Sequence, residues 1–542
     1  MKSRTLYILT ILCLLAFKPA VAQANLASAI PHLEKKGTAT QLIVEGKPFL
    51  VLGGELHNSS SSNIDYMDPI LAKFSASHFN TALAAVDWDM IEPQEGRFDF
   101  GIVDGLIQDA RRHNLRLVLL WFGSWKNGVS TYPPIWVKTD QERFPRALDK
   151  DGKGLEILST FSVSNRDADA RAFAALMRHV GSVDGTAHTV LMIQVENEVG
   201  ILTESRDQSP AASAAYRRPV PKELMDYLGK NKETLIPGFR KIWEAKGFKT
   251  SGTWEDVFGA GEVTDEIFMA WNYAHYVGSV AEAGKAEYAL PMFVNTWLAT
   301  WQETAPLKAG DYPSGGPMPH MLDVWKAGAP KIDILAPDVY SYFDERCGEY
   351  RHPENPLFMP EIGRDMRIAS DIFSALGEYE AIGVSPFGVE SVPAFEEELG
   401  KSYEVLAQIA PIFLDHQGKG AIGSAVLDKS HATRTLKVGD YTLDVGIAHH
   451  YTFPTADYPA GVFIAIGPDE YLVAGRGLTV AFTPTTAGPP IAGLATVEEG
   501  VFVNGKWVAG RRLNGDEILS GKGLRLPGDE YVIQRVKLYR YR

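Results

Sequence analysis

Between about residues 40 and 418, short apolar runs alternate with longer amphipathic stretches. Eight of these runs are nearly continuous in hydrophobic residues, as expected for strands that are buried on both faces of a sheet. The predicted strands span residues 49–54, 81–86, 115–120, 190–194, 291–295, 332–336, 356–360 and 381–386. Parallel strands need long crossover connections, so the stretches between them are expected to be helical.

Helical periodicity is clearest over residues 101–113, 168–180, 262–283 and 368–379. Strands that alternate with helices predict parallel βαβ units, and eight such units predict an α/β fold of the (β/α)₈ or TIM barrel type over residues 23–418. The chemistry of such a barrel lies at the C-terminal ends of its strands. Part of the segment 201–262 is interpreted as an insertion over the barrel mouth, with a decoration favoured over a lid.

After about residue 418 the helical periodicity fades and short alternating runs replace it. Residues 501–508 predict a hairpin with an Asn-Gly turn, and residues 531–539 predict a terminal strand. This pattern is typical of a small all-β domain of the sandwich type, which we assign to residues 419–542. Polysaccharide binding, shielding of the barrel and association are all open roles for it.

The first 22 residues have the pattern of a secretory signal peptide. Lys2 and Arg4 precede an apolar run over residues 5–17, and Ala-Val-Ala at 20–22 forms a cleavage site before Gln23. The run is too short to span a bilayer, so no membrane association is expected after cleavage. A periplasmic or secreted location is therefore predicted.

Charge and cysteine content narrow the classes of partner and cofactor. The formal net charge of −14 argues against a nucleic-acid partner, because phosphate binding needs a basic surface. Cleavage of the signal would leave Cys347 as the only cysteine, which excludes an intramolecular disulfide and a zinc site with several cysteine ligands. The chain has no His-x-His or His-Glu-x-x-His pattern, so no metal and no cofactor are predicted. A homo-oligomer is left open.

Two glutamates stand where predicted strands open into loops. Glu198 follows the strand 190–194 and Glu361 follows the strand 356–360. A retaining glycosidase needs two carboxyl groups about 5–5.5 Å apart, one protonated and one ionised. We therefore predict Glu198 as the general acid and base and Glu361 as the nucleophile, oriented by the Tyr340 hydroxyl. Alternatively, Glu198 lies on a solvated loop and Glu361 caps a helix.

Three motifs resemble glycoside hydrolase family 35, the β-galactosidases of a large clan of retaining barrels. They are residues 194–198 (Gln-Val-Glu-Asn-Glu), residues 86–100 with their Glu-Pro and Gly-Arg-Phe-Asp-Phe, and residues 53–57 (Gly-Gly-Glu-Leu-His). The resemblance covers most of residues 40–400. It implies a (β/α)₈ barrel, retention through a covalent galactosyl-enzyme and no metal, with the acid/base at Glu198 and the nucleophile at Glu361.

The chain departs from the family pattern at two loops. Residues 123–128 lack the Ala-Glu pair that holds galactose in common members, and residues 58–60 replace the usual Tyr and Arg. The chain thus resembles a divergent bacterial branch, and we hypothesise a β-galactosidase that trims plant cell-wall oligosaccharides such as xyloglucan fragments. The alternatives are a β-mannosidase, arabinosidase or endo-glucanase of the same clan, or a non-catalytic sugar-binding protein.

Further residues near strand ends are candidate contacts for an oligosaccharide substrate. Asn197 is expected to hold the sugar 2-hydroxyl, and an indole can stack on the face of a pyranose ring. The remaining candidates are Glu55, His57, Trp88, Trp125, Asn127, Trp297, Trp301 and Glu390. For each Trp the alternative is a place in the core, and for Glu390 it is a helix cap.

Overall fold

The computed structural model of the protein describes residues 30–298, 307–449 and 455–542. The predicted signal peptide at 1–22 and the candidate Trp301 lie outside the described residues. Of the described helices, none is both long enough and apolar enough to cross a membrane.

The described chain opens with a three-stranded antiparallel sheet formed by β1 (His32–Lys36), β2 (Ala39–Val44) and β3 (Lys47–Phe49). Leu42 and Val44 of β2 join the hydrophobic cluster that fills the interior of the following barrel. That cluster also contains Val51, Ile334 and Phe358, which lie at or near the N-terminal ends of barrel strands. The sheet therefore closes the bottom of the barrel, away from the strand ends that carry the candidate residues.

Within the described residues, eight parallel strands close into a barrel, which confirms the predicted fold class. All eight predicted strands are present, although most begin one to three residues later than predicted. The barrel strands are β4 (Val51–Glu55), β5 (Thr81–Asp87), β6 (Arg116–Phe122), β9 (Val190–Val195), β10 (Met292–Trp297), β11 (Ile334–Val339), β12 (Met359–Ile362) and β13 (Gly383–Pro386). Between β6 and β9, the strands β7 (Arg146–Leu148) and β8 (Gly154–Leu158) form a separate antiparallel hairpin.

Helices surround the barrel and pack on the outer faces of its strands. Several begin with a side-chain cap: Asn63 accepts from the backbone N–H of Tyr66, and Ser162 accepts from that of Asn165. The α-helices are α1 (Ile64–Ala76), α2 (Trp88–Ile91), α3 (Gly101–Arg112), α4 (Ile135–Thr139), α5 (Val163–Asp184), α6 (Pro210–Tyr216), α7 (Lys222–Lys230), α8 (Pro237–Glu244), α9 (Trp254–Phe258), α10 (Glu262–Glu287), α11 (Leu322–Gly328), α12 (Phe343–Tyr350), α13 (Ile368–Gly377) and α14 (Pro393–His416).

The segment 201–262 contains the short helices α6 to α9. Leu224, Phe239, Trp243 and Trp254 are buried in the same hydrophobic cluster as the helices around the barrel. Residues of this segment also bond to the rest of the barrel, as Ile201 and Ser314 exchange two backbone hydrogen bonds of 2.9 Å. Side chains packed in this way favour a fixed part of the fold over a hinged flap.

Beyond α14 the described chain is antiparallel β structure. A six-stranded sheet has the order β14-β17-β18-β23-β20-β21, and a four-stranded sheet has the order β15-β16-β19-β22. The Asn-Gly hairpin lies between β20 and β21, as predicted. The strands are β14 (Ile422–Val426), β15 (Thr433–Val438), β16 (Tyr441–Ile447), β17 (Ala460–Gly467), β18 (Glu470–Arg476), β19 (Leu478–Pro484), β20 (Ile491–Val503), β21 (Lys506–Arg512), β22 (Leu524–Arg525) and β23 (Val532–Tyr541).

Candidate active site

The turn after β9 determines where Glu198 points. Glu196 and Glu198 have positive φ angles of 63° and 45°, a left-handed conformation that is uncommon for glutamate. The turn is held by two hydrogen bonds: the Asn197 N–H donates to the Trp125 carbonyl (3.3 Å), and the Glu198 N–H donates to Asn295 Oδ1 (2.9 Å). Such strain persists only where neighbouring groups enforce it, and it is common at functional sites.

Glu198 and Glu361 meet at the C-terminal end of the barrel. Together with Asp338 they form a cluster in which one carboxyl oxygen from each residue lies within 4.8 Å of the others. We call Glu198, Asp338 and Glu361 the carboxyl cluster. Asp338 ends up beside Glu361 because the two are paired in the register of β11 and β12. All three side chains are buried, with at most 6% of each residue exposed.

The carboxyl cluster faces a cavity of about 340 Å³. This volume is at the lower end of the range for small-molecule sites. Five of the lining residues were predicted as site residues, namely Asn127, Glu198, Trp297, Tyr340 and Glu361. The other lining residues are Asn58, Lys126, Leu298, Asp338 and Phe387.

Glu198 is the carboxyl group best suited to hold and release a proton near neutral pH. Burial, followed by the negative charge of Glu361, raises the pKa of Glu198 to about 7. The Lys126 ammonium and a hydrogen bond with Asp338 act in the opposite direction. Asn127 donates from Nδ2 to Glu198 Oε2 (2.7 Å), which orients the carboxyl group.

Glu361 has a partner that favours its ionised form. The Tyr340 hydroxyl donates a hydrogen bond to Glu361 Oε1. Burial raises the pKa of Glu361, while the Lys126 ammonium and the Tyr340 hydrogen bond lower it. The pKa of Tyr340 itself is raised, first by burial and then by the Glu361 charge, so the hydroxyl keeps its proton and remains a donor. The other oxygen, Oε2, is buried without a hydrogen-bond partner among the described residues.

Asp338, Asn295 and Lys126 belong to the site although they were not predicted as site residues. Asn295 bridges the site, since its Nδ2 donates to Asp338 Oδ2 (2.7 Å) while its Oδ1 accepts from the Glu198 N–H. One available signal was that Asn295 and Asp338 are polar residues within apolar strands.

Lys126 supplies positive charge to a cavity lined by carboxyl groups. It is 6% exposed, and its ammonium lies 5.3 Å from the centroid of the Phe122 ring. Within the described ranges no carboxylate lies within 4.0 Å of its Nζ, so it forms no direct ion pair there. Its charge lowers the pKa values of Glu55, Glu198 and Glu361.

Glu55 ends the first barrel strand and is 2% exposed. Burial, followed by the charge of Glu361, raises its pKa well above the ordinary range for a glutamate. Burial and the neighbouring charge therefore favour the neutral acid form of Glu55. In this form it can donate a hydrogen bond as well as accept one.

His57 and Glu390 hold two loops together and are not among the residues that line the cavity. Their roles as direct sugar contacts stay predictions. Glu390 Oε1 accepts from the His57 N–H (2.8 Å) and from Ser60 Oγ (3.0 Å). His57 Nε2 hydrogen-bonds to Ser391 Oγ (2.7 Å). These bonds join the loop after β4 to the loop after β13, where the barrel closes.

Trp88 and Trp125 were predicted as sugar platforms, and this prediction is wrong. Each is 0% exposed. The Trp88 indole N–H donates to Glu92 Oε2 (3.0 Å), and that of Trp125 donates to the Leu158 carbonyl (3.2 Å). Both rings pack among other aromatic rings, so their flat faces are unavailable to a sugar. Their positions just past strand ends did not reveal on which side of the barrel wall they lie.

The side-chain amide of Asn197 is available for a hydrogen bond to a ligand. It is fully buried, and in the described part of the chain neither its Nδ2 nor its Oδ1 has a hydrogen-bond partner. An unpaired buried amide costs stability, which makes an incoming hydroxyl a favourable partner. Asn197 immediately precedes Glu198, so the arrangement is compatible with a contact to a sugar hydroxyl beside the acid.

Two family models match parts of the chain. The model of glycoside hydrolase family 42, described as Beta-galactosidase, matches residues 62–243, and a model described as a domain of unknown function matches residues 399–525. The first match includes Glu198 but not Glu361. The β-galactosidase-like character expected from the motifs is thus supported, while the assignment to family 35 stays a prediction.

Curated relatives match over short regions. The chain is 28% identical over 168 residues to "Beta-galactosidase" of Xanthomonas manihotis, covering 30% of this chain and 25% of that protein. It is 29% identical over 185 residues to "Beta-galactosidase-1-like protein 3" of Homo sapiens, covering 34% and 26%. The matches thus span about a quarter of the length of these relatives.

Among solved structures, a β-galactosidase from Halorubrum lacusprofundi has a TM-score of 0.45 and 14% identity, covering 66% of this chain and 58% of that one. A β-galactosidase from Marinomonas ef1 has a TM-score of 0.45 and 11% identity, covering 67% and 60%.

Proposed function

We propose that the protein is a retaining exo-β-galactosidase that acts on plant cell-wall oligosaccharides. The observation that carries this proposal is the placement of buried Glu198 and Glu361 carboxyl oxygens within 4.8 Å of each other at the edge of one cavity. This distance favours direct attack by a carboxylate, because inverting enzymes separate their carboxyl groups by about 6.5–9.5 Å to admit a water molecule.

In the first step, the Glu361 carboxylate attacks the anomeric carbon of the sugar. The bond from that carbon to the glycosidic oxygen breaks, and the Glu198 proton passes to the departing oxygen. In the second step, water attacks the anomeric carbon, Glu198 takes the water proton, and the ester bond to Glu361 breaks. The Glu198 pKa of about 7 suits both roles, because the group can give and regain a proton near neutral pH.

The cavity supports the exo mode of action and leaves the sugar to be tested. A site of about 340 Å³ is small, which favours one terminal residue over an extended chain. Galactose is proposed because the matching family model and the curated relatives are described as β-galactosidases. Xyloglucan fragments are the proposed natural source, and the sequence of residues 1–22 supports a periplasmic or secreted location.

A panel of nitrophenyl β-glycosides tests the proposal. We expect the galactoside to have the highest kcat/KM, ahead of the mannoside, arabinoside and glucoside. The first sugar released should be the β-anomer by proton NMR, and a 2-deoxy-2-fluoro galactoside should label Glu361 as detected by mass spectrometry. Release of the α-anomer would refute retention, and a higher rate on another glycoside would refute the galactose assignment.

A further inference from the structure

Asp338 is the member of the carboxyl cluster that the two-step reaction leaves unused. It is 2% exposed and lies at the C-terminal end of β11, where its neighbours in the barrel register are Trp297 on β10 and Glu361 on β12. A third carboxyl group at this place adds to the cost of burying charge. Its presence therefore calls for a physical explanation.

The two oxygens of Asp338 have different surroundings. Oδ2 accepts a hydrogen bond of 2.7 Å from Asn295 Nδ2. Oδ1 is buried and meets no hydrogen-bond donor among the residues described, although carboxyl oxygens of Glu198 and Glu361 lie near the group. Two ionised carboxylates offer only acceptors to each other. The contact becomes a hydrogen bond when one of the carboxyl groups carries a proton.

The charges around Asp338 favour that proton. The titratable groups that face it come from several barrel strands and loops, and one of them is a cation: Glu55, Lys126, Glu198, Tyr340, Tyr350 and Glu361. If all four carboxyl groups were ionised, a single ammonium would face four buried negative charges. Burial, followed by the charges of Glu361, Glu198 and Glu55, keeps the pKa of Asp338 well above the ordinary aspartate range.

We propose that Asp338 is a positioning residue that stays protonated throughout the catalytic cycle and donates its proton in a hydrogen bond to the Glu198 carboxyl group. This inference rests on the proposed glycosidase function. A neutral Asp338 stabilises Glu198 after Glu198 has given up its proton, and it transfers no proton itself. The other oxygen orients Asn295, whose Oδ1 then accepts from the Glu198 N–H.

The arrangement keeps the charge of the cavity constant. In the free enzyme Glu361 is ionised and Glu198 is protonated, whereas in the glycosyl-enzyme Glu361 is esterified and Glu198 is ionised. With Asp338 and Glu55 neutral, the cavity carries one negative charge in both states, opposite the positive charge of Lys126. An ionised Asp338 would add a second negative charge beside Glu198 at the moment when Glu198 loses its proton.

Asp338→Asn is the central test, because the amide retains a donor for Glu198 and an acceptor for Asn295 while it cannot ionise. We expect kcat/KM for nitrophenyl β-galactoside to fall less than in Asp338→Ala and the alkaline limb of its pH profile to stay in place. A fall of the alkaline limb by about one pH unit or more would mean that wild-type Asp338 is ionised, because loss of its charge would then lower the pKa of Glu198.

Asp338→Ala removes the donor. We expect kcat to fall roughly 10- to 100-fold and the alkaline limb to move to higher pH, because ionised Glu198 loses a hydrogen bond. Wild-type kinetics in this variant would overturn the positioning role. Thermal unfolding shows whether each variant is folded, and Asp338→Ser, which keeps a hydroxyl donor, replaces the Asn variant if that one does not fold.

Infrared difference spectra test the proton without any turnover. Subtraction of Asp338→Asn from wild type at pH 7 should reveal the carbonyl stretch of one protonated carboxyl group, and its absence would overturn the proposal. Asp333→Asn is the matched control, because Asp333 precedes the same strand and forms an ion pair with Lys285 (2.5 Å). That variant should reveal no such band and should keep the wild-type pH profile.

The glycosidase activity and the proton on Asp338 are tested by different measurements, so one can fail without the other. If wild type cleaves no glycoside of the panel, the proposed function fails, while the infrared measurement still decides whether Asp338 carries a proton. A bound cation is the remaining way to neutralise three nearby carboxylates. Loss of activity in EDTA with recovery on addition of Mg²⁺ or Ca²⁺ would overturn the protonated state, and unchanged activity in EDTA supports it.

Discussion

Glu196 and Glu198 lie two residues apart after β9, yet they face different sides of the barrel wall. Glu196 is fully buried; its Oε2 accepts from the Trp125 N–H (2.7 Å), and the charge of the neighbouring Asp169, after burial, raises the pKa of Glu196. Glu198 instead points into the cavity towards Glu361. Both carboxyl groups have raised pKa values, so a raised pKa alone does not distinguish the catalytic candidate from the structural one.

The two pairs, Glu196 with Asp169 and Glu198 with Glu361, differ in the groups that surround them. Asp169, the partner of Glu196, accepts from the Trp121 indole N–H (2.9 Å) and from Ser124 Oγ (2.5 Å). Gly123 leaves room for this pair, since a Cβ there would lie 2.6 Å from Glu196 Oε1. The pair is thus enclosed by fixed protein groups. Glu361 and Glu198 instead line the cavity, which Glu196 and Asp169 do not. An enclosed pair stabilises the fold, whereas a pair that lines the cavity can meet a substrate.

Removal of the open nucleophile should have the largest effect. In Glu361→Ala we expect kcat/KM for nitrophenyl β-galactoside to fall by about 10³-fold or more, because no carboxylate remains to attack the sugar. Galactose binding should persist by calorimetry. Glu345→Gln, at an exposed position of α12, is the control. A normal rate in the Ala variant would show that the nucleophile lies elsewhere.

Loss of the acid and base should have the next largest effect. In Glu198→Gln we expect kcat to fall roughly 10²- to 10⁴-fold on an oligosaccharide whose leaving group needs protonation. Because the wild-type pKa is about 7, the acid form is lost as pH rises through that value, and the alkaline limb of kcat/KM should fall there. The limb should be absent in the variant; a limb that persists near pH 7 would assign it to another group.

Tyr340→Phe tests how the pair that lines the cavity is kept reactive, because it removes the hydroxyl that donates a hydrogen bond to Glu361 Oε1. We expect kcat to fall roughly 10- to 100-fold, the range for loss of a hydrogen bond to a charged group. The tyrosine lowers the pKa of Glu361, so its loss raises that pKa, and the acidic limb of the pH profile should move to higher pH. An unchanged acidic limb would contradict the role assigned to the hydroxyl.

The enclosed pair should show the smallest effect on catalysis. Glu196→Gln keeps a hydrogen-bond donor towards Asp169, so we expect kcat/KM within about 3-fold of wild type and a small change in melting temperature. Glu196→Ala should instead unfold at a markedly lower temperature, because it leaves a cavity of several atoms and an unpaired Asp169; the expected loss is about 3 kcal/mol. A catalytic defect in folded Glu196→Gln would break the distinction between the two pairs.

The sequence predicted the barrel because strands that are buried on both faces must be nearly continuous in apolar residues. The same rule explains where the predicted bounds are wrong. Residues 337–339 were left out of the sixth strand, and residues 296–297 out of the fifth, because polar side chains interrupt the apolar pattern there. These interruptions are the ends that face the cavity, so the pattern fades where the functional groups lie.

The sequence also did not show on which side of the barrel wall a tryptophan near a strand end lies. Trp88 and Trp297 both lie near the ends of barrel strands, and the sequence gives them similar roles. The structure places Trp88 behind the wall against Trp121, and it places Trp297 in the cavity beside Asp338. The side of the wall depends on the backbone turn after each strand and on the helices that pack there, which a local sequence pattern does not specify.

The sequence by itself determined the alternation of strands and helices, and with it the placement of Glu198 and Glu361 at one end of a barrel, since parallel strands bring their C-terminal ends together. Only the tertiary structure decided that Asp338, Asn295 and Lys126 join them and in which direction the pKa of each carboxyl group shifts. Those properties depend on distances of a few ångströms between residues far apart in the chain and on burial, which strengthens each charge interaction.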